Sequence, residues 1–284
     1  LITNSSFMFE GDSYNPTDGV MMATGTPYFI SNGKVYSYNS GLLYRPAQHD
    51  KEYKWSHPAS YYSYVFVFDE LSKKYYVLKN QINDPEQGLV SDSYALDRVI
   101  EIKEQPSYEG QTLITQSVGM DADAHVLSLA LAESGKINLV SLQYLDFRAA
   151  KDEDPEIKEQ GILKTSESLS LAGADANTRG ILVGQDWYFV VGNKVYTSPV
   201  LKPQLADLTT LPDDLGVPVA VAVTSKETHL IIATYDAGSS HENKGSFALV
   251  DLTTKEVKVH RNVMGKLDVV CIIEHDEVVQ SQRT

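Results

Sequence analysis

An aromatic and polar segment, residues 53–64, holds the side chains best suited to contact a ligand. It contains Trp55, His57, Tyr61 and Tyr62. Aromatic rings offer flat faces on which the C–H groups of a sugar can stack, while polar neighbours pair with the sugar hydroxyls. Because the segment is rich in Pro and Ser, we expect a loop, which is where a rigid scaffold usually carries its binding residues. The sequence therefore predicts a ligand-binding site at these four residues, with packing of the rings between strands as the alternative.

Three potential metal ligands occupy alternate positions at Asp121, Asp123 and His125. Alternate residues of an extended segment point to one face of it. A calcium loop would need more oxygen ligands and a glycine, and a zinc site would need a further histidine or cysteine. The single cysteine, Cys271, lies in the apolar run 269–273, where we expect a buried thiol that packs as a small hydrophobe. We therefore predict no metal site, no cofactor and no intramolecular disulfide.

The chain carries no recognisable catalytic signature. It has no Gly-x-Ser-x-Gly elbow and no glycine-rich phosphate loop ahead of a helix. Its 38 acidic residues would allow a glycosidase pair of carboxylates, but such a pair is defined by its separation in space. We expect a non-enzymatic protein, with a glycan-active hydrolase or lyase as the alternative.

The charge balance limits the partners. Lys and Arg number 24 against 38 Asp and Glu, which gives a formal net charge of −14 over 284 residues. Proteins that track the phosphates of nucleic acids need a basic surface, and an acidic surface repels anionic membranes. No apolar run is long enough for a membrane-spanning helix, which needs roughly 20 residues. We therefore predict no nucleic-acid partner, no membrane contact by this domain itself, and a monomer.

Strand patterns run through the chain. Its 17 Tyr against two Trp favour strands, and short apolar runs closed by turn residues recur from end to end. Asn-Gly at 32–33 is a strong hairpin signal because both residues tolerate a positive φ. Helical spacing is weak: we expect mostly loop over 155–164, and 94–104 reads as either a helical turn or a strand. The predicted hairpins are 27–39, 64–79, 125–143, 187–198 and 246–259.

Two of these hairpins repeat each other. Residues 28–37 read YFISNGKVYS and residues 188–197 read YFVVGNKVYT, with five of ten positions identical and an offset of 160. At about 40 residues per four-stranded blade, this offset is close to four blades. The sequence predicts an all-β fold, a β-propeller of about six four-stranded blades with five to seven possible, formed as a single domain over residues 1–284.

Six segments of the chain share a strand pattern with a known family: GKVYSY at 33–38, YVFVFD at 64–69, KKYYVL at 73–78, VVGNKVY at 190–196, IATY at 232–235 and NKGSFALVDL at 243–252. Together they resemble the C-terminal propeller region of the PKD-like family of bacterial surface lipoproteins. The resemblance implies the C-terminal part of a longer exported protein, held at the cell surface or outer membrane by a lipid anchor and associated with glycan uptake. It carries over no functional residue.

Residues and resemblance together favour a surface-exposed binding or scaffolding module that captures a glycan or a peptide. A protein–protein interaction platform within an outer-surface complex is the further alternative. An exposed aromatic cluster would favour a glycan, whereas a broad apolar patch without a pocket would favour a protein partner.

Overall fold

The protein is described from a computed structural model, which describes residues 7–9, 12–14, 16–21, 27–39, 42–44, 52–61, 64–79, 98–121, 124–146, 159–224 and 226–265. The regular structure of these residues consists of 22 strands and one short 3-10 helix, Asp213–Leu215. No helix in this part of the chain has the length and apolar character needed to span a membrane.

Most strands belong to antiparallel groups of four that follow chain order. A hairpin of two short strands comes first, β1 (Phe7–Phe9) and β2 (Asp12–Tyr14). Three groups form separate sheets: β3 (Pro16–Met21), β4 (Pro27–Ser31), β5 (Lys34–Asn39) and β6 (Leu42–Tyr44); β15 (Arg179–Val183), β16 (Asp186–Val191), β17 (Lys194–Pro199) and β18 (Ala206–Thr210); β19 (Val217–Val223), β20 (His229–Tyr235), β21 (Gly245–Asp251) and β22 (Val257–Met264).

Two further groups share one eight-stranded sheet. They are β7 (Trp55–Tyr61), β8 (Tyr64–Asp69), β9 (Lys74–Lys79) and β10 (Arg98–Lys103), then β11 (Thr112–Asp121), β12 (Ala124–Glu133), β13 (Lys136–Asp146) and β14 (Glu159–Ser170). A short parallel pairing joins them, with Ile102 opposite Gly161 and Lys103 opposite Ile162. A Cβ at Gly161 would lie 2.8 Å from the Ile102 Cα, so this junction requires a glycine.

The prediction of an all-β propeller is confirmed. The described strands make five four-stranded groups, which lies within the predicted five to seven blades. The first strands of consecutive groups contact each other in two places, β3 with β7 and β15 with β19. The five predicted hairpins are present, and 98–103 is a strand.

The chain divides into two compact units. Unit 1 comprises Leu1–Gly110, Ser117–Ser128 and Val140–Ser166, and unit 2 comprises Gln111–Gln116, Leu129–Leu139 and Glu167–Thr284. Unit 1 has a core of Tyr28, Ile30, Val35, Trp55, Val65, Val67, Tyr76 and Leu78. Unit 2 has two core clusters, one around Val190, Leu230 and Val250 and another around Ile137, Trp187 and Phe189. The prediction of a single domain over the whole chain stays a prediction.

The two similar hairpins occupy equivalent positions, because each forms the second and third strands of its group. Their registers agree residue by residue: Phe29 pairs with Tyr36 as Phe189 pairs with Tyr196. They are three groups apart in the described sheets, rather than the four blades expected. The strands of the intervening group β11–β14 run to 10–12 residues instead of the usual five to seven, which accounts for part of the offset of 160 residues.

Two expectations of loops were wrong. The segment around Pro58 forms strand β7, with a bulge between Ser56 and Ala59. Proline cannot donate a ladder hydrogen bond, and the bulge removes the need for one. The second case is β14, Glu159–Ser170, which covers residues 159–164 of the segment 155–164 that was expected to be mostly loop. Gly161 gave the misleading signal there, since it serves the close approach of Ile102.

Candidate functional site

Trp55 packs in the core of unit 1. It is 7% exposed. Its ring stacks on Tyr53 with centroids 4.4 Å apart, and it meets Tyr76 edge to face at 5.6 Å. Its backbone N–H also donates to the carbonyl of Gly33 at 2.8 Å. This is the packing role that the sequence left as the alternative, and it leaves no open ring face for a sugar.

The two predicted tyrosines cannot be placed against a ligand. Tyr61 is the last residue of β7 and pairs with Tyr64, and its side chain lies outside the described part. Tyr62 itself lies outside the described residues. Of the four predicted residues, the structure therefore gives side-chain positions for Trp55 and His57, and the ligand-binding assignment stays a prediction.

His57 belongs to a polar group that we call the turn cluster: Ser56, His57, Glu70 and Lys73. The bulge gives His57 a positive φ of 49°, and its side chain is half exposed. The Ser56 hydroxyl donates to Glu70 Oε1 at 2.7 Å and lies 2.9 Å from His57 Nδ1. Lys73 Nζ donates to Glu70 Oε2 at 2.9 Å. A hydroxyl, an imidazole and a carboxylate thus meet at the end of the β8–β9 hairpin.

The hydrogen bonding of the turn cluster does not activate a nucleophile. When the one proton of the Ser56 hydroxyl goes to Glu70, Nδ1–H of His57 donates to the serine oxygen. An imidazole in that role cannot take the serine proton. Partial burial raises the pKa of Glu70, but the hydrogen bonds from Ser56 and Lys73 and the charges of Lys73 and His57 outweigh it, so the pKa lies below the ordinary value. Glu70 is therefore ionised at neutral pH and is not a proton donor.

Asp69 fixes the turn that carries this cluster. Its carboxylate is fully buried and accepts hydrogen bonds from the backbone N–H groups of Lys54, Leu71 and Ser72 and from the Ser72 hydroxyl. Unit 2 has a turn of the same design, in which Asp251 accepts from the N–H groups of Thr253 and Thr254. In both turns the lysine four residues after the Asp has a positive φ. The arrangement is structural, and the cluster is a consequence of it.

Sequence reasoning missed an exposed apolar side chain in unit 2, on the loop between β17 and β18. Leu201 is 85% exposed. Its neighbours Val200 and Leu205 pack against a core cluster instead. The loop is also tied by Val200 N–H to the Gln185 carbonyl at 2.9 Å and by Gln204 N–H to the Ser198 hydroxyl at 3.0 Å.

Prolines 199 and 203 bracket Leu201 and fix the backbone φ on either side of it. They were the one sequence signal that could have identified this loop.

A second missed residue is Arg179, at the start of β15. Its Nε donates to the Val219 carbonyl at 3.0 Å, and its Nη1 donates to the carbonyls of Ala176 and Thr178 at 2.9 and 3.0 Å. No sequence pattern could have found this site, because all three acceptors are backbone groups and one is 40 residues away.

The described residues include no group of three or more His, Cys, Asp or Glu side chains that could hold a metal ion. Two members of the 121–125 motif, Ala122 and Asp123, lie outside the described part, as does Cys271.

Comparisons with known proteins show the fold alone. No family model matches the chain, and no curated protein matches its sequence. The structure of BBS1N in complex with ARL6DN matches with a TM-score of 0.50 and 12% identity, over 87% of this chain and 67% of that one. Hsv2 of Kluyveromyces lactis matches with a TM-score of 0.46 and 7% identity, over 87% of this chain and 62% of that one. Regucalcin of Agrobacterium tumefaciens matches with a TM-score of 0.45 and 13% identity, over 85% of this chain and 72% of that one. The chain spans less than two thirds of the Hsv2 chain.

Proposed function

We propose that the chain is a non-enzymatic β-propeller module that binds a protein or peptide partner. The observation that carries this proposal is Leu201, a large apolar side chain that is 85% exposed on a loop held from both sides. Single exposed leucines are common on protein surfaces, but most cost entropy to immobilise when they bind. Here the backbone of the loop is already tied by hydrogen bonds, so less backbone entropy is lost when Leu201 binds. Interfaces draw most of their affinity from a few such anchors in partner pockets.

The fold supports the proposal in a general way. BBS1N was solved in complex with ARL6DN, and that partnership belongs to BBS1N. For this chain, it supports only the idea that a propeller of similar fold can carry a protein-binding surface.

Glycan capture is the less supported form of the binding proposal. It needs an aromatic ring with an open face, and Trp55 does not have one. The resemblance to surface lipoproteins still supports export to the cell surface as part of the proposal. Fractionation of cells that express the natural gene tests it, since recovery in the cytosolic fraction would contradict it.

The experiment uses peptides displayed on phage as the probe. Peptides selected on the unaltered chain are measured against Leu201→Asp and against Leu71→Asp, which changes a 56% exposed leucine in another turn. We expect at least a tenfold loss of affinity with Leu201→Asp and no change with Leu71→Asp.

Failure to select any peptide, or equal binding to both variants, would contradict the proposal. A parallel glycan panel separates the two forms of binding, because glycan binding that persists in Leu201→Asp would favour capture of sugars.

A further inference from the structure

Arg179 has a guanidinium that the backbone holds but does not neutralise. Three of its N–H bonds point at the carbonyls of Val219, Ala176 and Thr178. A guanidinium has five N–H donors, so the two on Nη2 remain. Within the described ranges, no carboxylate forms an ion pair with Arg179 and no other group accepts from Nη2.

Arg261 in the same unit shows the ordinary arrangement. Its Nε and Nη2 both donate to the carboxylate of Asp214, at 2.9 and 3.1 Å. The positive charge of Arg261 is thus already matched by an internal partner. The comparison shows that Arg179 differs in its partners and not in its residue type.

The surroundings of Arg179 favour one orientation of the guanidinium. Val219 is the extra residue of a bulge between Pro218 and Ala220, which frees its carbonyl from the β19–β20 ladder. Arg179 is half-buried, so part of the desolvation cost of binding has already been met on folding. A side chain fixed in this way loses little rotamer entropy when it binds.

An exposed apolar side chain lies on the same strand as the Val219 carbonyl. Val217 is 58% exposed, and the burial of β19 alternates so that Val217 and Val219 share its less buried face. Residues two apart on a strand are about 7 Å apart. A ligand with a negative group and adjacent apolar atoms could contact both places.

We propose that Arg179 binds a carboxylate of the partner through Nη2, with Val217 contacting the apolar atoms beside that carboxylate. A carboxylate fits better than a phosphate, because a surface of net charge −14 repels a dianion more strongly than a monoanion. The carboxylate comes from a chain terminus or from an Asp or Glu side chain. This inference rests on the proposed binding function and gives its partner a chemical class.

Three small probes distinguish the sources of the carboxylate. N-acetylvaline offers an α-carboxylate, N-acetylglutamic acid α-amide offers a side-chain carboxylate, and N-acetylvalinamide is the neutral control. Each is titrated into the ¹⁵N-labelled chain while the Nε–H resonances of the arginines are followed by NMR. We expect a saturable shift of the Arg179 resonance with at least one acid, none with the amide, and weakening as salt rises.

Variants connect the shift to the site. Arg179→Gln should weaken binding of the acid at least tenfold, as followed by the backbone amides of Val217 and Val219. Arg261→Gln should leave it unchanged, because that guanidinium already has its carboxylate. If Arg179→Gln fails to fold, Arg179→Lys is used instead, because it keeps the positive charge but loses the planar set of guanidinium N–H donors. We expect Arg179→Lys to weaken binding of the acid by the same factor.

No shift with either acid, an equal shift with the amide, or unaltered binding in the Arg179 variants would overturn the inference. The two proposals fail separately. If binding of the selected peptides requires Leu201 but Arg179 binds no carboxylate, the proposed binding function is supported and the proposed Arg179 site is contradicted.

Discussion

At the scale of single residues, Asp69 shows how a buried charge is made tolerable. Its carboxylate accepts four hydrogen bonds, three from backbone N–H groups of the surrounding turn. Burial raises the pKa of Asp69, and the Ser72 hydroxyl with the three N–H groups more than offsets this, so the pKa lies below its ordinary value of 3.8. The charged form is therefore the one that the fold stabilises.

We expect Asp69→Ala to destabilise the chain by about 3 kcal/mol at pH 7, because several donors lose a charged acceptor at once. The destabilisation caused by Asp69→Ala should become smaller as the pH falls. A carboxyl whose pKa is lower in the folded state contributes fully above its unfolded pKa and loses the contribution as pH drops through the folded value. Urea unfolding at steps from pH 7 to pH 3 measures both effects.

The matched control for this prediction is Asp251→Ala, which alters a turn of the same design with a more exposed carboxylate. We expect Asp251→Ala to lower the free energy of unfolding clearly less than Asp69→Ala does. If the difference in free energy of unfolding between Asp69→Ala and the unaltered chain stays constant down to pH 3, the charge of Asp69 is not what stabilises the turn.

At the scale of elements, the parallel junction between β10 and β14 requires a residue without a side chain at position 161. A Cβ at Gly161 would lie 2.8 Å from Ile102 Cα and 2.9 Å from the Glu101 carbonyl oxygen, and both are backbone atoms that cannot rotate away. We expect Gly161→Ala to cost about 2 kcal/mol or more by urea unfolding, with faster hydrogen exchange at 161–162.

Gly119→Ala provides the comparison in β11 of the same sheet, since a Cβ there meets nothing within 4 Å. It should be neutral or slightly stabilising, because alanine restricts the unfolded chain. Equal effects of the two substitutions would mean that strand propensity, and not the close approach to Ile102, decides the outcome.

The hairpins show what the sequence can predict about elements. Alternating apolar residues around Asn32-Gly33 or Gly192-Asn193 encode a strand pair locally, so these elements were predictable within a residue or two. Strand β7 was not, because Pro58 normally argues against a strand and only the bulge makes it acceptable. The candidate binding residues were harder still. Arg179 depends on carbonyls brought together by the fold, and Trp55 looks the same in sequence whether it packs or binds.

At the scale of the whole molecule, the net charge of −14 opposes folding through self-repulsion. The cited ion pairs of the described residues are exposed or partly exposed, and such pairs contribute little to stability, so their screening by salt costs little. We expect the melting temperature at pH 7.5 to rise as NaCl increases from low to physiological concentration. Differential scanning calorimetry measures the shift.

The control for the salt prediction is pH. Near the isoelectric point of about 4.9 the net charge vanishes, so the salt effect should vanish with it. A melting temperature that falls with salt at pH 7.5 would mean that attractive surface pairs outweigh the repulsion.

The junction of β10 and β14 also sets an order of assembly. The other pairings of the described strands join neighbours in chain order, which hairpin closure can bring together in about 1–10 μs. Ile102 and Gly161 can meet only after the 58 residues between them have been gathered, and loop-closure entropy opposes that step until β11–β14 are formed. We therefore expect the parallel pairing to form after the two antiparallel groups that it joins.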